Sequence, residues 1–320
     1  MPLANRRPHS STSAAPVRGA ASKTAGSTSL ITIRGTSDPS YLAPKYRGFP
    51  GTLARPIADG LKVSPINPHS LEKLQAVGKY LNGFAQILSK YAVTYIDFYA
   101  GPGIVSCRDE LSWGSPLMAL QCCHRFGQHI FVESDAPAAA SLATRSQRLA
   151  QRGEDVTILC GRCEDRLLEV LALCPTKQFV LALVDPFRVE FSFESLRTLS
   201  TRYKRLDLIL LLADGMDLTR NVAQAVASSK NTSARFDRVW GDDSWRRYYD
   251  PVNSPRYNAS RLREGYVERI RDDLGFPFVD DHYSVHNSKN VSLYSLIHAS
   301  HHPLGSKLWK GSTAPALPFG

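Results

Sequence analysis

An acid, a glycine turn and two further strand-end acids have the types and spacing that small-molecule chemistry needs. Asp97-Phe98-Tyr99-Ala100-Gly101-Pro102-Gly103 follows an apolar, β-prone run that includes Val93, Tyr95 and Ile96. A buried strand that ends in a glycine turn presents a ligand loop at the carboxyl edge of an open α/β sheet. Glycine serves there because the backbone turns sharply and approaches a ligand closely. A dinucleotide fingerprint needs another glycine three residues after Gly103, and Ser106 stands there instead. Asp97 would also oppose a pyrophosphate. It suits a cationic ligand better, and S-adenosylmethionine carries a sulfonium and an ammonium. The expected cofactor-binding residues are Asp97, Ala100, Gly101, Pro102 and Gly103. The alternative is an ordinary strand turn with a solvated acid.

Glu133 closes a second short strand, His129 to Glu133. In nucleotide-binding α/β folds an acid there accepts hydrogen bonds from ribose hydroxyls. Asp185-Pro186-Phe187 closes the fourth candidate strand in chain order, Gln178 to Asp185. This trio resembles the Asp-Pro-Pro-Tyr type box of amino-directed methyltransferases, with the second proline missing. The resemblance implies that Asp185 and a backbone carbonyl accept from an amine while Phe187 stacks on a base. Asp185, Pro186 and Phe187 are therefore the expected catalytic residues. The competing reading makes Asp-Pro a turn initiator and Phe187 a core residue. Asp214-Gly215, after a further apolar run, either lines the same cleft or simply meets a backbone requirement.

These residues need strands and helices to position them. His69 to Lys90 reads as a helix with Ser70 as N-cap, Glu72 in the first turn, and Lys73, Lys79 and Lys90 on a solvated face. Gly114-Ser115-Pro116 opens a helix from Leu117 to Arg125. Helices follow at Pro137–Gln151, Glu164–Cys174, Phe193–Tyr203 and Tyr257–Leu274, with strands at Asp155–Leu159 and Leu206–Ala213. Two strand-like segments, Phe278–Val285 and Val291–His298, flank a polar turn at 286–290. The expected fold is a doubly wound, mostly parallel α/β sheet of Class I methyltransferase type with a carboxyl-terminal antiparallel hairpin. It occupies residues 61–320, with a helical and polar insertion at about 217–250.

Composition limits the remaining classes. The 320 residues carry a net charge of +10. Residues 1–60 hold eight Lys/Arg against two acids, a net +6, so the remainder is only mildly basic. That segment is rich in Ser, Ala, Thr, Pro and Arg and reads as a disordered basic tail. A transit peptide and a misassigned start are the other readings. No apolar run approaches the roughly 18 residues of a membrane span. The six cysteines fit reduced thiols and a cytoplasmic location. Cys160-Gly-Arg-Cys163 is a lone C-x-x-C: redox-active, half of a metal site, or a pair of buried thiols. No second motif completes a zinc set, so no metal is expected.

Taken together, the motifs resemble the three-Cys-motif partner proteins. The matching pieces are Val77-Gly-Lys-Tyr-Leu81, Tyr95 to Gly103, Gly114 to Leu120, Phe131-Val-Glu133, Val184 to Phe187, Trp240-Gly241 with Trp245-Arg246, Tyr294-Ser-Leu-Ile297 and His301 to Gly305. The resemblance spans about residues 66–310. It implies a Class I methyltransferase fold, a phage-associated setting and a Cys-motif partner protein, with no established reaction. Members commonly carry Gly-Asp after the third strand, implying an adenine contact; here Arg162 follows Gly161. Two functions follow as expectations. One is S-adenosylmethionine-dependent methyl transfer to nucleic acid or a related substrate. The other is a non-catalytic partner or scaffold in a phage-associated or defence system.

Overall fold

Phe179–Val184 and Leu206–Leu212 are almost wholly aliphatic and lie side by side in the middle of the molecule. Strands buried on both faces need such unbroken apolar sequence. The computed structural model describes residues 30–35, 55–227, 230–287 and 289–314. In chain order the first elements are β1 (Leu30–Arg34), β2 (Ser64–Pro65), α1 (Pro68–Ile87), β3 (Val93–Asp97), β4 (Ile104–Cys107), β5 (Glu110–Trp113) and α2 (Ser115–Ala119). Then come β6 (Gln128–Glu133), α3 (Ala136–Leu149), β7 (Asp155–Cys160), α4 (Cys163–Leu173), β8 (Phe179–Val184), α5 (Phe193–Arg202) and β9 (Leu206–Leu212). A π-helical turn, Asp214–Leu218, leads into α6 (Thr219–Val226), α7 (Lys230–Trp240) and α8 (Pro255–Asp272). The chain closes with β10 (Phe278–His286), β11 (Ser292–Ser300) and α9 (Pro303–Thr313).

The main sheet runs β1-β7-β6-β3-β8-β9-β11-β10. From β7 through β9 every neighbour is parallel. β11 inserts antiparallel between β9 and β10. This is the doubly wound order of a Class I methyltransferase fold. Right-handed crossovers place α2 and α3 on one face and α4 and α5 on the other. α1 packs with α9 and α2 on the first face, and α5 with α7 on the second. All five parallel strands end along one edge, at Asp97, Glu133, Cys160, Val184 and Leu212. None of the described helices is long and apolar enough to cross a membrane.

Several elements differ from the expectation. α1 begins at Pro68 behind Asn67, because Pro suits the first helical position and its missing N–H costs nothing there. The helix expected from Leu117 to Arg125 is only Ser115–Ala119. Before it stands an unexpected hairpin, β4–β5, turned on Arg108 (φ 49°) and Asp109 (φ 66°). Two-residue hairpin turns of that shape favour Asn and Gly, so Arg-Asp leaves no sequence signal. Residues 1–29 and 36–54 of the expected tail lie outside the described residues. Leu30–Arg34 depart from that expectation by pairing with β7, from Leu30↔Leu159 to Arg34↔Asp155.

Asp59, also within the expected tail, is part of the fold. Its carboxylate accepts from Arg145 Nε at 2.9 Å and Nη2 at 2.7 Å. The Arg145 side chain is 3% exposed. Breaking a buried ion pair strands a charge and costs several kcal/mol. Asp59→Asn in the full chain is therefore expected to lower Tm by roughly 5–10 °C. Deleting residues 1–60 lowers it at least as far. Unshifted thermal transitions in both proteins would show that this ion pair does not brace the fold.

Candidate functional site

The glycine turn is held from three sides. Asp97, the last residue of β3, is fully buried beneath it. Tyr95 lies two residues earlier on the same strand face, and its hydroxyl donates to Asp97 Oδ2 at 2.9 Å. Ser115 Oγ donates to the same oxygen at 2.6 Å, and the Tyr99 amide to Oδ1 at 3.3 Å. Burial pushes the Asp97 carboxyl up to about 6 against the pull of these donors. Asp97 thus fastens the loop from below; the sequence reading had placed it against a cationic ligand. The turn itself follows. Ala100 N donates to Val132 O at 3.1 Å. Gly101 has φ +64° with open space where a Cβ would stand, so it is glycine for its backbone conformation. Gly103 has φ +84°, and a Cβ there would meet Leu117 at 2.7 Å. The Pro102 carbonyl accepts from Arg145 Nη1 at 2.6 Å.

Glu133 holds the third side. Its Oε2 accepts from the Gly101 amide at 2.8 Å and its Oε1 from the Asp135 amide at 2.7 Å. Each carboxylate oxygen keeps a second lone pair for a ligand hydroxyl. Glu133, Tyr99, Arg162, Cys163 and Glu190 line a cleft of about 280 Å³ at the carboxyl edge of β3, β6 and β7. The Cys163 thiol donates to the Phe98 carbonyl, and burial pushes it well above the usual thiol range. It is therefore a poor nucleophile. All six cysteines are free thiols. Among the described residues no group of three or more His, Cys, Asp and Glu is placed to hold a metal.

Arg238 on α7 roofs this cleft. It donates to Glu164 Oε2 at 2.6 Å and to the Glu190 carbonyl at 2.9 Å. Glu164 Oε1 also accepts from the Ser192 amide at 3.1 Å. Sequence reasoning misses Arg238, because its partners are many residues away. A basic residue in the last turn of an insertion helix was the only trace it left.

Asp185 stands one residue beyond β8, and β8 pairs with β3 through Leu183↔Asp97. It forms an ion pair with Lys73 of α1. The Lys73 side chain is only 12% exposed, so it is not on the solvated face expected for it. Its ammonium sits 5.6 Å from the centroid of the Tyr294 ring. Pro186 is buried, whereas Phe187 is 86% exposed. Phe187 is therefore not a core residue. The loop is pinned just past it, where the Val189 amide donates to Asp217 Oδ2 at 2.9 Å. Phe191 then packs on Phe98, with ring centroids 5.2 Å apart. Asp214 joins a separate cleft of about 340 Å³ with Arg256, Arg263 and His286. Gly215 there passes so close to Ser292 that a Cβ would lie 1.9 Å from its carbonyl oxygen.

No family model and no curated protein matches the sequence. Among solved structures, the chain is similar to Trm1 from Pyrococcus horikoshii in complex with S-adenosyl-L-methionine. That match has 14% identity and a TM-score of 0.46, and covers 77% of this chain and 58% of that one. The chain therefore spans less than two thirds of the Trm1 structure. An O-methyltransferase from Bacillus cereus in complex with SAH matches at 12% identity and a TM-score of 0.37, over 72% of this chain and 86% of that one. Human methyltransferase-like protein 13 in complex with SAH matches at 10% identity and a TM-score of 0.39, over 78% and 95%. The fold is nonetheless set by the strand order itself, with β11 antiparallel between β9 and β10.

The raised Asp97 carboxyl has a measurable consequence. It binds its proton more tightly folded than unfolded. Its contribution to stability is present below the ordinary value of 3.8 and is lost as the pH rises through about 6. Denaturant unfolding between about pH 3 and pH 7 should show about 3 kcal/mol of stability lost from this group. Asp97→Asn should flatten that dependence. An identical pH profile in the variant would mean that Asp97 titrates normally.

Proposed function

We propose that this chain is an S-adenosylmethionine-dependent methyltransferase acting on nucleic acid or a related substrate. The observation that carries this reading is Glu133: bonded to the Gly101 amide, it opens onto a cleft at the carboxyl edge of β3, β6 and β7. An acid at that edge accepts from a ribose diol. The further acid Glu190 on the cleft wall suits a cationic ligand. Arg162 offers a planar guanidinium that stacks on an aromatic ring, in place of the acceptor that an acid there would supply. When bound, the cofactor supplies an electrophilic methyl group. The chain's own part is proximity and orientation. Asp185 accepts a hydrogen bond from the attacking group, and Lys73 holds its carboxylate in place. Phe187 offers an exposed face on which a base stacks.

A second reading keeps the fold without the reaction. Lys73 already occupies Asp185, and position 162 carries a cation. Both features fit a scaffold for a Cys-motif partner, as the motif resemblance to three-Cys-motif partner proteins implies. Cofactor binding separates the two readings. Calorimetric titration with S-adenosylhomocysteine is expected to give a micromolar-range Kd, about −8 kcal/mol. Gly101→Val should abolish this binding through backbone strain while the protein stays folded. Asp185→Asn should keep the affinity and slow methyl transfer at least about a hundredfold. Transfer at the wild-type rate by that variant sinks the assignment of Asp185. No detectable titration heat with the intact chain makes the scaffold reading the better one.

A further inference from the structure

The loop after Asp185 and the π-helical turn after β9 adjoin, and three arginines lie on these segments and the helices next to them. Arg188 follows the exposed Phe187, and its neighbour Val189 is bonded to Asp217 in the turn. Arg220 lies three residues beyond Asp217, in the first turn of α6. Arg256, in the first turn of α8, lines the 340 Å³ cleft together with Thr219 of α6. All three are exposed, and among the described residues none forms an ion pair. The nearby acids are already matched. Asp217 accepts both Nη atoms of Arg235 at 2.8 Å. Asp214 and Asp281 share Arg263, at 3.2 and 3.3 Å. In the same cleft His286 donates Nδ1–H to the Ser284 carbonyl at 3.2 Å, leaving Nε2 for a ligand. Unmatched cations on three elements are an electrostatic footprint for a polyanion.

We propose that Arg188, Arg220 and Arg256 form a phosphodiester track for a single-stranded polynucleotide, whose base stacks on Phe187 beside Asp185. This rests on the methyltransferase reading for its purpose, but not for its chemistry. A single strand is the fitting form, because an exposed ring stacks on an unpaired base and a row of cations follows the backbone. The track begins at the residue next to Phe187, so a strand along it passes the carboxyl end of β8. Asp214 accordingly serves the track by fixing Arg263 and the cleft wall.

Fluorescence anisotropy of a labelled oligonucleotide of roughly 12 nucleotides tests this, with the intact chain, over a range of salt. Replacing Arg188, Arg220 and Arg256 together by Gln should weaken binding at least about tenfold and reduce the log–log salt slope by about 2. Phe187→Ala should weaken binding about tenfold and leave the slope unchanged. Since all four side chains are exposed, thermal unfolding of these variants should match the parent. Equal affinity and slope in the triple variant overturn the track. A slope that falls only when Arg6, Arg7 and Arg18 are replaced also overturns it, and places polyanion binding in the first residues of the chain. Titration of the triple variant with S-adenosylhomocysteine separates the two proposals. Unchanged cofactor binding with lost oligonucleotide binding supports the track. If the parent binds oligonucleotide as described but not S-adenosylhomocysteine, the cofactor reading fails and the track stands.

Discussion

A buried guanidinium holds the glycine turn in the shape that the cleft requires. Arg145 reaches from α3 to the Pro102 carbonyl, the Lys62 carbonyl and both oxygens of Asp59. Its planar fork satisfies several acceptors at once, which a lysine ammonium cannot do with the same geometry. Without it the turn would lose its outer support. Two residues of the turn have positive φ, and that backbone persists only where the surroundings over-determine it. Asp97 from below and Glu133 from the side supply the remaining constraints.

The strand-end acids of the sheet therefore divide their labour. Asp97 is sealed and structural. Glu133 is half-buried, with lone pairs left over. Asp185 is neutralised by Lys73 at the base of a loop that exposes one aromatic ring. The difference comes from what each strand end meets: Ser115 and Tyr95, a glycine amide, or a lysine from α1. The insertion after β9 completes the arrangement. Arg238 roofs one cleft, and Asp217 ties Arg235 of α7 to the loop that carries Phe187.

The opposite edge of the sheet is built for stability. Asp207 interrupts the aliphatic run of β9 and accepts from Tyr80 of α1 and from Ser300 Oγ at 2.6 Å. His298 bonds the same Tyr80 hydroxyl at 2.8 Å, and its ring stacks on Trp309 of α9. A buried acid is tolerated there because its oxygens are occupied by hydroxyls from two other elements. α1 is thereby held in its body by the Tyr80–Asp207 bond and nearer its start by the Lys73–Asp185 pair. A single helix couples the stabilising edge to the functional one.

The sequence by itself determined the five parallel strands, the carboxyl-terminal hairpin and the carboxyl edge, but not β1, which lies in a segment that reads as a tail. Five apolar runs spaced by amphipathic helices admit few arrangements, because each face must be buried and crossovers are right-handed. Asp97, Glu133 and Asp185 were legible as strand-end acids for the same reason. Their roles were not legible, since a carboxylate's role depends on donors that arrive from distant segments. Ser115 turns Asp97 into an anchor, Lys73, a cation expected on the surface, becomes the partner of Asp185, and Arg145 draws Asp59 out of an expected tail. Phe187 read equally well as core or as surface, because an Asp-Pro-Phe turn places its ring on either side. In the folded chain the ring is 86% exposed, with the loop pinned two residues later by the bond from Val189 to Asp217. Arg238 and the β4–β5 hairpin were silent, the first because its partners are remote and the second because its turn residues are atypical. Local pattern determines which elements exist; only their packing decides which charges meet.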